Sequence, residues 1–341
     1  MFQEILSHLV NQQTLTESEA AHAMDEIMEG KAAPGQISAF LSMLSMRGET
    51  VEELSGCARS MKAHALQLNC PKPLLDIVGT GGDGTGTFNI STASALVISS
   101  LGVDVAKHGN RSVSSTSGAA DVLEALSIRI QSTPESAMAL LEQTHMCFLF
   151  APLYHSSMKY AIGPRKELGF RTIFNMLGPL TNPAGTKRQL LGVYSPEVAR
   201  MYAETLVRMG TERSLVVTGE DGMDELTITG RTDAFLIENG EIKSFSITPQ
   251  EVGLSGGKVE QIQVSNPEES AALIQSIFSG SKTHPAAMNA ILLNAGAGLF
   301  VAGYAASIGE GVHEAHEAIT DGHALQQLSR LRQATKEAAH A

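Results

Sequence analysis

From Met1 to about residue 68 the apolar positions recur at helical spacing: Phe2, Ile5, Leu6, Leu9 and Val10 share one face, and Ile37, Phe40, Leu41 and Leu44 share another. Thr16-x-x-Glu19 and Thr50-x-x-Glu53 are capping boxes, whose hydroxyl and carboxylate satisfy first-turn N–H groups, so they mark helix starts. Gly30, Pro34-Gly35 and Gly48 mark breaks. The stretch predicts a small helical layer whose apolar faces serve packing or a subunit contact. At Asn69-Cys70-Pro71-Lys72-Pro73 the pattern changes, and short apolar runs begin to alternate with helical ones. Residues 74–78, 103–106, 146–151, 190–194 and 214–218 read as buried parallel strands, with helices expected over 89–102 and 119–126. Residues 153–183 interrupt this alternation with helical, basic sequence punctuated by Pro and Gly. Further on, DELTITG, DAFLIENGEIKSFSI and the region to about 264 read as antiparallel strands, with Asn239-Gly240 as a hairpin turn. Helices near 267–280 and 285–302, and a last one from about 312, close the chain.

The alternation predicts an α/β protein with a small all-helical domain and a large α/β domain built on a central, mostly parallel sheet. The expected small domain is residues 1–70 joined by about 160–186; the large domain is 71–159 and 187–341.

Composition narrows the class. The 341 residues are 43% hydrophobic and 18% charged, with a formal net charge of -12, which argues against a non-specific nucleic-acid binder. Three cysteines without C-x-x-C spacing (Cys57, Cys70, Cys147) point to reduced thiols and a cytoplasmic setting. The start, MFQEILSHLV, lacks the basic region and cleavage site of a signal peptide, and no uninterrupted apolar run reaches membrane-span length. The expectation is a soluble cytoplasmic protein with neither nucleic-acid nor membrane partners.

The chemistry concentrates at LLDIVGTGGDGTGTFNISTASALVISS, residues 74–100. A strand, a loop with glycines at 79, 81, 82, 84 and 86, and a helix start aim bare N–H groups and a helix dipole at one point, a cradle for an anion such as phosphate. Gly79-Thr80-Gly81-Gly82-Asp83-Gly84 matches the dinucleotide fingerprint G-x-G-x-x-G. That reading needs an acidic residue at the carboxyl end of the second strand to hold a ribose. Asp104 lies near the strand's start instead, and the end bears Lys107-His108-Gly109-Asn110-Arg111. Lysine and arginine there expect more negative charge. The P-loop reading fails because no Gly-Lys-Ser/Thr follows. A heavily phosphorylated small molecule fits best.

DIVGTGGDGTGTFNIST, KHGNRSVSSTSGAADVLEAL, RTIFNMLGPLTNPA and GMDE at 222–225 together resemble the anthranilate phosphoribosyltransferase family, over almost the whole chain. In that family anthranilate displaces pyrophosphate from C1 of 5-phosphoribosyl 1-pyrophosphate (PRPP), a reaction of tryptophan biosynthesis. The resemblance implies a helical domain hinged to an α/β domain, a homodimer joined through the helical part, and two magnesium ions per subunit completed by PRPP. It also implies the stand-alone form, without the glutamine amidotransferase domain fused to some members, and a separate anthranilate synthase as partner.

By that resemblance Gly79, Gly82 and Asp83 border PRPP. Thr87, Asn89, Ile90, Ser91 and Thr92 match its pyrophosphate contacts, and Lys107, His108, Gly109, Asn110, Arg111, Ser112, Val113, Ser114 and Ser115 match the segment covering it. Ala119 stands where many members have Ser, so a contact there would come from its backbone. Asp224 and Glu225 match the magnesium-binding pair, with Ser91 adding its hydroxyl, and magnesium is indeed bound by few carboxylates plus ligand phosphates. Asn110 and Arg165 match anthranilate contacts, with Gly79, His108, His155 and Pro179 beside them, and Arg suits a planar carboxylate. Anthranilate's amine is already neutral at pH 7, so the expectation is no covalent nucleophile and catalysis by positioning and electrostatics.

Two related classes are less well matched. A pyrimidine nucleoside phosphorylase shares a KHG-type strand end but needs no metal pair; a nucleic-acid-binding relative would need a basic groove. His313-x-x-His316-Glu317 has helical spacing, but it lacks a third ligand and reads as a solvated helix face.

Overall fold

A computed structural model describes residues 1–112, 116–131 and 133–337. Four helices open the chain: α1 (Phe2–Val10), α2 (Glu17–Met28), α3 (Pro34–Arg47) and α4 (Val51–Ala63). Both capping boxes form, at Thr16 for α2 and Thr50 for α4. Then β1 (Leu75–Gly79), α5 (Ile90–Ser100), β2 (Val105–Gly109), α6 (Ala119–Ala125), α7 (Pro134–Thr144) and β3 (Met146–Phe150) alternate. The interruption is α8 (Ala151–Tyr154), α9 (Lys159–Leu168) and α10 (Ile173–Leu177). The alternation resumes with β4 (Arg188–Gly192), α11 (Pro196–Met209) and β5 (Arg213–Gly219), followed by β6 (Thr232–Glu238) and β7 (Glu241–Ile247). The chain ends in α12 (Pro267–Phe278), α13 (Pro285–Ala302), α14 (Ile308–Thr320) and α15 (His323–Glu337).

The seven strands form one sheet in the order β3-β2-β1-β4-β5-β6-β7. The pairs from β3 to β5 are parallel, and β6 and β7 are antiparallel. Strand order reverses between β1 and β4, so the carboxyl ends of β1, β2 and β4 open a crevice where ligands of open α/β sheets bind. Side-chain alternation explains the layering. Leu190, Leu215 and Val217 join the core beneath α5 and α13, while Leu191 and Val216 join the core shared with α2, α3, α4, α10 and α11. That second core also takes Ala161, Ile173, Phe174, Leu177 and Leu180. The apolar α13 is long enough to cross a membrane, but 72% of it is buried against the sheet and its neighbouring helices.

The fold differs from the sequence expectation in four places. The second strand lies at 105–109, because Val105 pairs with Met146 and Leu75 and the KHG segment continues the ladder. DELTITG is a loop: Asp221 and Asn294 bind its peptide and hydroxyl groups in place of a strand partner. Residues 248–264 form short 3₁₀ turns with one bridge, Thr87 to Gln263. The last helix is two helices, divided at Asp321-Gly322, where Gly322 takes φ 80°. The hairpin has the expected turn, with Asn239 at φ 53° and Gly240 at 79°.

Candidate active site

The glycine loop leaves β1 and curls over the carboxyl end of the sheet. Gly81 and Gly82 take φ 69° and 74°, a conformation that L side chains rarely adopt. Thr80 N–H donates to Gly192 O at 3.0 Å, Phe88 N–H to Ile262 O at 2.9 Å, and Val264 N–H to Gly86 O at 2.9 Å, so both loop ends are pinned. Thr87 bridges to Gln263. Asp83 accepts from Thr85 Oγ1 at 2.7 Å, and its proximity raises the pKa of Asp224. Asn89 is the N-cap of α5, and its own side chain is held in place. Its Oδ1 accepts the hydroxyls of Ser117 (2.6 Å) and Ser270 (2.8 Å), while Nδ2 donates to Ser117 O at 3.0 Å. In the first turn, Ile90 and Thr92 are buried, and Thr92 Oγ1 has no hydrogen-bond partner among the described residues.

The acidic pair arrives from far along the chain. Asp224 Oδ2 accepts Gly81 N–H at 2.6 Å, and Glu225 Oε1 accepts Ser91 N–H at 3.2 Å. Two carboxylates therefore stand on the donors of the loop and helix N-terminus, the geometry expected of an anion cradle. Close approach requires glycine beneath them: a Cβ at Gly79 would meet Asp224 Oδ2 at 2.3 Å, and one at Gly192 would meet Asp224 O at 1.6 Å. Burial, with Asp83 adding to it, pushes Asp224 up to about 7; burial and the Asp224 charge push Glu225 up to about 8.

Lys107 lies within this cluster, fully enclosed, its Nζ donating to Ile77 O at 2.5 Å and Ser91 Oγ at 3.1 Å. Burial lowers its pKa while Asp76, Glu225 and Asp224 oppose that. Next to it, His108 N–H donates to the buried Asp76 Oδ1 at 3.2 Å, and His108 Nδ1 lies 3.2 Å from Gly178 O. The His108 and His155 rings are 5.1 Å apart. Burial takes His108 down to about 3 and His155 to about 4, so both are neutral at pH 7, and the Nε2 of each has no partner among the described residues. Pro179 O accepts from Gln189 Nε2 at 2.6 Å. Gly109 packs on Phe148, whose ring an added Cβ would meet at 3.0 Å, and Asn110 Oδ1 accepts Arg111 N–H at 2.7 Å. Arg165 sits over the Phe174 ring at 5.1 Å with no carboxylate beside it among the described residues, and burial lowers its pKa.

The segment after β2 turns back on α6, and Ala119 packs beside Gly109. The Arg111 guanidinium is held by Asp121 (2.9 Å) and Glu124 (2.6 Å), and Ser112 N–H donates to Asp121 at 2.9 Å. Ala119 begins α6, and Val113, Ser114 and Ser115 lie outside the described residues. His313 is exposed and pairs with Glu317. Among the described residues no three His, Cys, Asp or Glu side chains gather into a metal cage.

Sequence reasoning missed the groups that hold this site in place. Asp76, Gln189, Ser270, Asp221, Asn294 and Arg171 act mostly on backbone, as when Arg171 Nη2 donates to Gly82 O while its guanidinium lies 4.6 Å from the Tyr194 ring centre. The only advance signal was polar residues inside apolar runs, Asp76 in LLDIV and Asn294 in ILLNAGAG.

A strand–glycine loop–helix cradle suited to an anion, a facing acid pair and a helical layer against an α/β sheet are the architecture of a two-domain glycosyl transferase. Residues 3–65 match the family model described as glycosyl transferase family, helical bundle domain, and residues 71–325 match glycosyl transferase family, a/b domain. The chain is 52% identical over 332 residues to the anthranilate phosphoribosyltransferase of Geobacillus sp. (strain WCH70), covering 97% of this chain and 98% of that one. The Thermus thermophilus anthranilate phosphoribosyltransferase superposes with TM-score 0.90 at 42% identity, covering 97% of this chain and 99% of that one. The Saccharomyces cerevisiae enzyme in complex with PRPP and Mg gives TM-score 0.90 at 27% identity, covering 98% of each. The chain belongs to the anthranilate phosphoribosyltransferase family.

Proposed function

We propose that this chain transfers the phosphoribosyl group of PRPP to the amine of anthranilate, releasing pyrophosphate, in tryptophan biosynthesis. The observation that supports it most directly is the convergence of Asp224, Glu225, Ser91 and Lys107 on one glycine-loop and helix start. The cradle N–H groups of the loop and of α5 bind the phosphates of PRPP, with the Asn89 amide and the Thr92 hydroxyl beside them. Lys107 adds a buried positive charge where the leaving pyrophosphate gathers its own. Asp224, Glu225 and Ser91 offer hard oxygen donors, which fit magnesium, and they would hold it. Magnesium supplies Lewis-acid neutralisation of charge on the departing pyrophosphate. Two ions per subunit are expected.

Arg165 binds the anthranilate carboxylate, with Asn110, Gly79 and Pro179 shaping its slot. The neutral imidazoles of His108 and His155 present nitrogens without a partner among the described residues and add no charge. The acceptor amine needs no strong base, so displacement is dissociative and governed by alignment, with the helical and α/β parts closing to exclude water. The residue division expected above, 1–70 with about 160–186 against the remainder, gives that hinge. A homodimer through the helical layer is supported by the exposed apolar Val10, Met46 and Ile162 on α1, α3 and α9. A cytoplasmic site of action and a separate anthranilate synthase partner complete the reading.

Anthranilate fluorescence tests it. With PRPP and magnesium the protein should quench that signal as product forms; no magnesium-dependent loss, or phosphorolysis of thymidine instead, would sink the assignment. Asp224→Asn with Glu225→Gln should lower turnover at least about a hundredfold at low magnesium, on the order of a lost electrostatic clamp.

A further inference from the structure

Residues 219–230 bear the acidic pair between β5 and β6. The strand ends fasten the base of this loop, Gly219 N–H donating to Met223 O at 3.0 Å and Thr232 Oγ1 accepting Thr227 N–H at 3.0 Å, and two further side chains hold its backbone on either side of the pair. Asn294 lies fully buried in α13, among Ile291, Leu292, Leu293 and Ala295. Its Oδ1 accepts Leu226 N–H at 3.0 Å, and its Nδ2 donates to Leu226 O at 2.9 Å and to Ala290 O at 3.0 Å. One amide thus pairs with both peptide groups of the residue directly after Glu225. Its orientation is fixed, because a flipped amide would set its oxygen against two carbonyls. A fully buried amide costs stability unless satisfied, so packing alone gives no reason for asparagine there.

On the other side of the pair, Asp221 Oδ1 accepts Met223 N–H at 3.1 Å, the residue directly before Asp224. Its Oδ2 takes the hydroxyls of Thr227 (2.7 Å) and Thr229 (2.6 Å), closing the loop on itself. Gly192 and Gly79 form the floor beneath. Asp224 and Glu225 are therefore gripped through the backbone immediately before and after them.

We infer that Asn294 and Asp221 are positioning residues for the acidic pair, and that their grip sets the affinity of the site for magnesium-bound PRPP. This rests on the proposed role of Asp224 and Glu225 as magnesium ligands. Partners that orient metal ligands are commonly worth about 10- to 100-fold in metal affinity or activity.

Calorimetric titration with PRPP at fixed free magnesium, without anthranilate, reads binding apart from turnover. Asn294→Leu keeps the volume and removes both bonds to Leu226; its Kd should rise about 10- to 100-fold. Asp221→Asn, at the surface, should give a smaller rise in the same direction. The KM for anthranilate should stay within about threefold in both, since neither grip reaches Arg165; a parallel rise would mark general loosening and overturn the inference. A folded Asn294→Leu that binds as wild type would also overturn it. If circular dichroism shows Asn294→Leu unfolded, Asp221→Asn decides alone, and an unchanged Kd there rejects the grip. Asp224→Asn with Glu225→Gln separates the two levels. Wild-type affinity in that variant removes the magnesium reading itself, whereas lost affinity there with normal binding in the grip variants removes only this inference.

Discussion

At Arg165 the protein keeps a guanidinium partly out of water with no carboxylate beside it among the described residues, only the face of Phe174. Such a cation is costly without an anionic partner, and a planar carboxylate satisfies it through two parallel N–H···O bonds. Arg165→Ala should therefore raise the KM for anthranilate about 10- to 100-fold, the scale of a lost charge-assisted bond, while the KM for PRPP changes little. Steady-state kinetics with each substrate varied in turn would show it, and a larger effect on PRPP would contradict the role. Ser91, Lys107 and the Asp224-Glu225 pair, which the fold brings together, could be singled out beforehand because they stand in contiguous motifs. Ser270, Asp221 and Asn294 were not. Ser270 and Asn294 act on groups far along the chain, Asn89 and Leu226, and although Asn294 stands out as polar in an apolar run, one sequence does not say which distant group such a side chain bonds.

Among the elements, β1 and β4 end on the glycine pair Gly79 and Gly192, which lie side by side in register. The acidic loop crosses directly over them, so Gly192→Ala would drive a Cβ to 1.6 Å from Asp224 O and displace backbone. That overpacking should cost about 2–3 kcal/mol of stability and weaken PRPP binding, whereas Gly35→Ala, with nothing within 4 Å, should do neither. Denaturant midpoints of the two variants would test the contrast. Strand and helix existence was readable here because parallel strands are short buried runs between amphipathic helices. The errors fell where hydrogen bonds leave the local pattern. DELTITG alternates like a strand, but Asp221 takes the hydroxyls of Thr227 and Thr229 while Asn294 takes the peptide groups of Leu226, and the segment folds into a loop. The second strand runs on past its apolar residues because Lys107 and His108, though polar, lie buried in β2, tied to Ile77 O and Asp76.

Taken over the whole molecule, the sheet separates two large cores, with a smaller third cluster around Leu74, Ala106, Cys147 and Tyr154, and the site lies at the carboxyl ends of the strands. His108 of β2 and His155 after α8 face each other there, near the 178–181 turn. Both are held neutral, down to about 3 and about 4, by burial above all. The unfolded chain binds protons at about pH 6.5, before either folded imidazole does, so each contributes stability above that pH which is lost on acidification. Asp76 has the opposite sign: raised to about 6 by burial, it favours the fold below its ordinary value and loses that contribution as pH rises through 6. A raw pH profile of the wild type mixes these effects. The difference between proteins does not. His155→Gln deletes one imidazole, so the stability lost between pH 7 and pH 5 should shrink by about 2 kcal/mol, roughly 1.36 kcal/mol for each unit between pH 6.5 and 5. Urea unfolding at both pH values would measure it, and an equal loss in variant and wild type would mean that His155 is as easily protonated in the fold as outside it.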